Sequence, residues 1–145
     1  MLPNHRPFSE ADPTRQFATF TFFRGGLIAL IITLLGGILG AFYTVPQLAP
    51  MFQSLGLDLR HFRSIHTTFA SAWIFLGGLG IVHRWLQDHA GPMTQGDRWR
   101  LRVQVLSWAL AGSGILITLA AGITTGREYM GFHPIFSVFI LLGWL

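Results

Sequence analysis

Four apolar stretches, three of them long, dominate the pattern of hydrophobic and polar positions along the chain. They cover residues 25–45, 65–82, 103–125 and 134–145. At a rise of about 1.5 Å per residue, the first three can cross a hydrocarbon core of about 30 Å, whereas the fourth is too short. The pattern predicts an all-α membrane protein with three transmembrane helices and the truncated start of a fourth. We expect these helices at about 17–45, 63–86, 100–125 and 134–145.

The two ends of the chain differ from the apolar stretches between them. Residues 1–16 are polar, contain three prolines and lack the apolar core and small-residue cleavage site of a signal peptide. We therefore expect an N-terminal tail at 1–16. The fourth stretch stops at Leu145 without a charged or polar end. This favours the interpretation of 17–145 as the N-terminal part of a longer polytopic transmembrane domain.

The composition supports a membrane protein and narrows its chemistry. Charged residues make up 11% of the chain, against about 25% in a typical soluble domain. All ten basic residues are arginines at the ends of apolar stretches, a placement that argues against nucleic-acid binding. The absence of cysteine excludes disulfides, iron–sulfur clusters and thiolate metal sites. Histidine is therefore the remaining soft ligand for a metal or haem.

The arginines also predict an orientation. Seven of them lie on the tail side or in the second loop: Arg6, Arg15, Arg24, Arg84, Arg98, Arg100 and Arg102. The opposite side has three: Arg60, Arg63 and Arg127. The positive-inside rule then places the N-terminus in the cytoplasm, in a multi-pass protein of a bacterial-type inner membrane. Trp85 and Trp99 are expected at the inner interface, and Tyr43 and Tyr129 at the outer one.

His66 is the most informative candidate residue because it lies just inside the second apolar stretch. Ionisable groups at membrane depth are costly and usually functional. A neutral imidazole can bind haem iron through one nitrogen while the other donates a hydrogen bond. Arg63, one turn earlier on the same helical face, would pair with a haem propionate. The alternative is a histidine hydrogen-bonded to a neighbouring helix, with Arg63 as an interfacial anchor.

The other histidines are weighed as possible partners of His66. His133 is expected at nearly the same depth, which makes it a candidate second axial ligand. Its alternative is an interfacial residue ahead of a proline at a helix start. His61, in the outer connection, and His83 and His89, near the cytoplasmic side, are expected to be solvated.

Small residues recur in all three long stretches. Gly36 and Gly40 in the first, and Gly114 and Gly122 in the third, predict close helix packing. A denser set follows His66 in the second stretch, and it would let a neighbouring helix or a flat macrocycle approach the backbone. This set comprises Ala70, Ser71, Ala72, Gly77, Gly78 and Gly80.

The third loop, residues 124–134, combines a guanidinium, a carboxylate and a phenol outside the membrane. A carboxylate at Glu128 beside haem propionates would suit a bridging Ca²⁺ ion, because calcium prefers oxygen ligands. The alternative is an interfacial turn in which Arg127 and Glu128 form a surface pair worth little energy.

Taken together, residues 63–85 and 126–134 resemble catalytic subunit I of the heme-copper oxidases. The similarity is to the branch that contains cbb3-type cytochrome c oxidases and nitric oxide reductases. In that family an Arg-x-x-His-Thr motif opens the second helix and supplies an axial ligand of the low-spin haem b, which implies this role for His66. The Gly126-Arg127-Glu128-Tyr129 sequence resembles the outer loop after the third helix. The resemblance implies a calcium ion at Glu128 and propionate contacts for Arg63 and Arg127.

The resemblance further implies an N-terminal fragment of a roughly twelve-helix subunit I bundle. The whole enzyme would reduce oxygen or nitric oxide with electrons from a cytochrome c-type subunit or quinol. The second axial ligand, a high-spin haem and its copper or non-haem iron would lie on the remaining helices, so the fragment alone is expected to be inactive. In one departure, Gly131 stands where nitric oxide reductases commonly have a second acid.

Two other functions remain as alternatives at this point. One is a small b-type cytochrome that carries electrons or anchors haem, with His66 and His133 as a bis-His pair. The other is a membrane scaffold or transport protein without a cofactor. No intramembrane carboxylate or broken helix in the sequence suggests a transport path. Membrane lipid is an expected contact under every interpretation.

Overall fold

The computed structural model describes residues 12–127 and 131–144, which contain five helices and no strand. In chain order the helices are α1 Pro13–Tyr43, α2 Ala49–Ser54, α3 Leu59–His89, α4 Gln95–Ala120 and α5 Ile135–Leu142. The prediction of an all-α fold is confirmed. We call the two ends of the bundle the Asp12 end, where α1 begins, and the Asp58 end, where α3 begins.

Three of the helices are long and apolar enough to cross a membrane. The most apolar windows of α1, α3 and α4 have mean hydropathies of 2.3, 1.5 and 1.7. In each window 22% of the residues are buried inside the protein, so most of the apolar surface faces outward. Such surfaces are stable against lipid and costly against water. The chain therefore has the features of a multi-pass membrane protein in contact with lipid.

The start of α1 differs from the prediction. The helix begins at Pro13, whereas the hydrophobic pattern placed its start at residue 17 and assigned 13–16 to the tail. Asp12 is the N-cap, and its side chain accepts a hydrogen bond from the Thr14 N–H at 2.9 Å. A capping aspartate followed by proline is a strong helix-start signal that does not depend on hydropathy.

The end of α4 also differs, because the helix stops at Ala120 although the apolar pattern continues to Thr125. Gly122 has a φ of +75°, which favours glycine. The Gly122 N–H donates to the Leu119 carbonyl at 3.1 Å, and the Ile123 N–H donates to the Thr118 carbonyl at 2.9 Å. These two bonds form a Schellman motif. Gly122 therefore ends the helix, and the prediction of helix to 125 is wrong.

A capping box fixes the start of α3 at Leu59, before the predicted residue 63. The Asp58 side chain accepts from the Arg60 and His61 N–H groups at 2.9 and 3.3 Å, while His61 Nδ1 accepts from the Asp58 N–H at 3.2 Å. Arg60 also forms an ion pair with Asp58 at 2.8 Å. The His61 side chain is only 15% exposed, so the expectation that it is solvated is wrong.

This cap makes the stability of the helix start pH-dependent. The side-chain hydrogen bond from Arg60, opposed by partial burial and aided by His61, lowers the pKa of Asp58 from 3.8 to about 2. A lowered folded-state pKa contributes stability above the unfolded value, and that stability is lost as pH falls from about 4 to about 2. Asp58→Asn should therefore reduce the unfolding free energy at pH 7 by about 1 kcal/mol after solvent screening.

Unfolding of the wild type and the Asp58→Asn variant in detergent micelles, followed from pH 7 to pH 2, tests this prediction. The difference between the two proteins should shrink below about pH 4. Asp58→Ala, which also removes the cap, is the stronger variant for comparison. A difference that stays constant over the whole range would refute the charge-dependent contribution.

The closest helix contact in the bundle is between α1 and α3, which run antiparallel. A Cβ atom built on Gly36 would lie 3.1 Å from the His66 backbone nitrogen. A Cβ atom built on Gly26 would lie 3.2 Å from the Gly77 backbone nitrogen. Backbone therefore packs against backbone at two levels, and any side chain at these positions of α1 would force the helices apart. The packing role predicted for Gly36 is confirmed.

Two apolar clusters form the interior. The cluster nearer the Asp58 end contains Ala29, Phe69, Ala111, Ile115, Leu119 and Phe132. The cluster nearer the Asp12 end contains Ala18, Phe22, Leu79, Met93 and Leu101. Helix α5 packs on α4, where the Phe136 ring lies directly over Gly114 and Trp108 Nε1 donates to the Gly143 carbonyl at 3.0 Å. The predicted packing role of Gly114 is confirmed.

Candidate functional site

His66 lies two turns into α3 and faces α1. Its Nδ1 is 2.9 Å from the backbone carbonyl oxygen of Thr33. A Cβ atom on Gly37 would lie 2.9 Å from that same Nδ1, so the imidazole occupies space that any other residue at 37 would fill. The ring is thus held at a fixed place between two long helices.

This contact determines which nitrogen of His66 carries the proton. A carbonyl oxygen only accepts hydrogen bonds, so Nδ1 must donate, and Nε2 of the neutral ring keeps its lone pair. Within residues 12–127 and 131–144, Nε2 has no hydrogen-bond partner. Histidines that bind metal through Nε2 usually donate their other N–H to a backbone carbonyl in this way. The hydrogen bond to α1 is the contact that the alternative interpretation of His66 predicts. It is also compatible with the ligand interpretation, because Nε2 keeps its lone pair.

The structure brings the two motif-bearing segments together at the Asp58 end. The loop after α4 is closed by a bond from the Thr125 N–H to the Gly131 carbonyl at 2.7 Å. A Cβ atom on Gly131 would lie 3.4 Å from Ser64 Oγ, and one on Gly122 would lie 2.7 Å from His61 Nε2. The loop therefore rests on the first turns of α3, beside the segment that carries His66.

The predicted propionate-binding arginines lie in these two segments. Arg63 is exposed near the start of α3, and its carbonyl accepts from the Thr67 hydroxyl at 2.9 Å. Arg127 is exposed in the loop. Both guanidinium groups thus belong to the Asp58 end, as the sequence predicts. Glu128 lies outside the described residues, so the calcium site remains a prediction.

Gly131, which stands where the sequence resemblance would lead one to expect an acid, is buried and tightly surrounded. A Cβ atom there would lie 3.3 Å from the Arg127 carbonyl oxygen and 3.4 Å from Ser64 Oγ. A longer acidic side chain would also have to bury a carboxylate, which is costly without a partner. The loop in its present conformation therefore suits glycine at this position.

His133 is exposed just before α5. Its Nδ1 accepts a hydrogen bond from the Ile135 N–H at 3.3 Å, which satisfies one of the free backbone donors of the helix start. This contact agrees with the interfacial alternative for His133. Its pairing with His66 around one iron stays a prediction.

His83 and His89 occupy different environments. His83 Nε2 is 2.8 Å from Gln104 Oε1, and its ring stacks on Phe22 with centroids 5.3 Å apart. It therefore packs among α1, α3 and α4, and the prediction that it faces water is wrong. His89 is exposed, as expected, and stacks on Trp85 with a centroid distance of 4.4 Å.

An apolar cavity of about 710 Å³ lies among α1, α3, α4 and α5. Ser71 and Ala72, from the small-residue set after His66, line it, whereas Gly77 and Gly80 pack against α1. Thr68 also lines the cavity and is 6% exposed, and its hydroxyl has no partner within the described residues. Sequence reasoning missed Thr68, because a threonine in an apolar helix ordinarily bonds to its own helix backbone.

Fold and site together define an all-helical, multi-pass membrane chain with a polarised histidine inside its second long helix. Comparison of the chain with protein-family models, curated protein sequences and solved structures gave no match. Among the described residues, no three His, Asp or Glu side chains form a group that would hold a metal ion. The assignment of function therefore depends on the chemistry of the residues themselves.

Proposed function

We propose that this chain is the N-terminal part of the catalytic subunit of a respiratory terminal oxidoreductase of the heme-copper type. In this proposal His66 supplies one axial ligand of a low-spin haem b. The observation that carries the proposal is the state of the His66 ring, whose Nδ1 donates to the Thr33 carbonyl while Nε2 keeps a lone pair without a partner among the described residues. Such a ring inside an apolar helix fits the ligand role without further rearrangement of its tautomer.

The residues that the resemblance singles out have the following parts in this proposal. His66 Nε2 would bind the iron, and the Thr33 carbonyl would hold the ring orientation and increase the basicity of the ligand. Arg63 and Arg127 place positive charge where haem propionates would lie, and this charge favours the reduced state of the iron. Glu128 would be a ligand of a calcium ion.

The haem, when bound, would carry single electrons from a cytochrome c-type subunit or quinol toward the centre where oxygen or nitric oxide is reduced. In this proposal the second axial ligand, the high-spin haem and its copper or non-haem iron belong to the remaining helices of a roughly twelve-helix subunit. The protein would lie in a bacterial-type inner membrane with its N-terminus in the cytoplasm, in agreement with its arginine distribution. The packing of the loop on Ser64 supports the proposal, because it brings the loop that contains Arg127 next to the first turns of α3, which contain Arg63 and His66.

The test is a reduced-minus-oxidised absorption spectrum of membranes that contain the protein encoded by the whole reading frame. His66→Ala should abolish the six-coordinate low-spin haem b signal, because one axial ligand is lost. His89→Ala is the matched control, since His89 is exposed, and it should keep the signal. A six-coordinate haem b signal that persists in His66→Ala would refute the assignment.

The same measurement on His133→Ala separates the oxidoreductase from the bis-His cytochrome. The oxidoreductase proposal expects the low-spin signal to survive, because its second axial ligand comes from another helix. The bis-His cytochrome expects the signal to disappear in both His66→Ala and His133→Ala.

A further inference from the structure

The Asp12 end has an excess of positive charge on the first turns of α4. Arg98, Arg100 and Arg102 are all exposed there. Asp12 and Asp97 are acidic groups in the same region, and Asp97 is already engaged as the capping-box partner of Thr94. The backbone N–H groups at this helix start are thus capped, and the positive surface comes from the arginine side chains.

Two of these arginines line an open cleft of about 260 Å³. Its walls are Gln95, Arg98, Trp99 and Arg102, whose spacing places them on one face of the helix. Arg100 is two residues from each of its neighbouring arginines, on another face, and does not line the cleft. The cleft therefore combines two guanidinium groups, an amide and an indole.

The two guanidinium groups of the cleft differ in how they are held. Nε and Nη2 of Arg98 donate to Asp12 Oδ2 at 3.2 and 2.9 Å, so the side chain is fixed against the N-cap of α1. Arg102 makes no hydrogen bond or ion pair with another residue in the described ranges. Arg98 is thus a fixed cation, and the guanidinium N–H groups of Arg102 are available as donors. Together they suit an anion that accepts several hydrogen bonds.

The indoles indicate what surrounds the cleft. Trp99 is 67% exposed and Trp85, at the same end of the bundle, is 56% exposed. Exposed tryptophans near the ends of apolar helices are typical of the membrane–water interface, where the ring contacts lipid and the N–H contacts water. We therefore expect the cleft to lie at the depth of lipid headgroups.

We propose that the cleft formed by Gln95, Arg98, Trp99 and Arg102 binds the phosphate of an anionic phospholipid headgroup. The guanidinium groups of Arg98 and Arg102 would contact the phosphate oxygens, and Gln95 would contact a headgroup hydroxyl. The Trp99 ring would lie along the glycerol and upper acyl chain. Charge complementarity carries the assignment, because a zwitterionic lipid would bring its own cation into a surface that is already positive. The proposal does not depend on haem binding.

The experiment uses the full chain in phosphatidylcholine vesicles with a trace of dansyl-labelled phosphatidylglycerol. Energy transfer from tryptophan to the dansyl group reports the bound lipid, and competition with unlabelled phosphatidylglycerol gives an apparent affinity. Arg102→Gln should weaken this affinity about tenfold more than Arg100→Gln, because only Arg102 contributes a charge-assisted hydrogen bond in the cleft. Both variants remove one charge from the same helix and keep every tryptophan.

A second pair of variants tests the site at constant net charge. Arg102→Lys and Arg100→Lys both keep the charge, but only the first removes a guanidinium fork from the cleft. Weaker binding in Arg102→Lys alone supports the site. Equal losses in the two members of each pair would overturn the proposal, because they would reveal a diffuse electrostatic attraction. Displacement of the labelled lipid by inorganic phosphate would also overturn it, since the site would then bind a soluble anion.

Discussion

Gly36→Leu is expected to lower the free energy of unfolding by about 3 kcal/mol, at the upper end of the effect of overpacking. The reason is that the first added carbon would lie 3.1 Å from the His66 backbone nitrogen and 3.3 Å from the Phe62 carbonyl oxygen. A side chain can rotate away from such a contact, but the backbone of a packed helix cannot. The two helices must therefore separate along their whole contact.

The matched control for this variant is Gly78→Leu, which adds the same side chain to α3. A Cβ atom on Gly78 meets no atom within 4 Å among the described residues, so this variant should unfold within about 1 kcal/mol of the wild type. Reversible unfolding in mixed detergent micelles measures both. Equal stability of Gly36→Leu and Gly78→Leu would show that the helices do not approach this closely.

Under the proposed function, Gly37→Ala is expected to weaken haem binding by about tenfold to a hundredfold, the usual effect of losing an outer-shell partner of a metal ligand. The new methyl group would lie 2.9 Å from His66 Nδ1 and 3.1 Å from Cε1, so the ring must move away from the Thr33 carbonyl. The proposed ligand, His66, stays in the chain. The prediction therefore tests the position of the ring and not merely the presence of histidine.

Gly25→Ala provides the control on the same helix. Its methyl group would meet Leu76 Cδ1 at 3.5 Å, an ordinary van der Waals distance, so haem binding should not change. Haem content per protein, with circular dichroism to establish that both variants remain helical, is the measurement. If Gly37→Ala binds haem as well as Gly25→Ala does, the Thr33 hydrogen bond does not hold the ligand.

Hydropathy alone predicts the number and type of the long helices, because each of them must bury or present an apolar surface along its whole length. It does not predict where they end. Polar and glycine signals decide the ends, as Asp12 does for α1 and Gly122 for α4. Both signals are present in the sequence, but a prediction based on the length of the apolar stretches does not use them.

The candidate site divides in the same way. The sequence identifies His66 as a polar group within an apolar stretch, and the resemblance predicts that Arg63 and Arg127 lie near it. The partner of His66 is a backbone carbonyl 33 residues away, and no property of the Thr33 side chain indicates it. His83 was predicted to face water, whereas it pairs with Gln104, and this contact depends on how α3 and α4 pack. Such contacts follow from helix register, which the residue pattern does not fix.

The 31 residues of α1 span about 46 Å, which exceeds the hydrocarbon thickness of about 30 Å by three turns. The excess lies at the Asp12 end, where Arg15 donates to the Leu86 carbonyl and Gln87 donates to the Thr19 hydroxyl. These bonds, with the glycine contacts further along, join α1 and α3 at several levels. In a thinner or thicker bilayer, α1 and α3 would therefore tilt together as one unit, and the angle of α3 would change with that of α1.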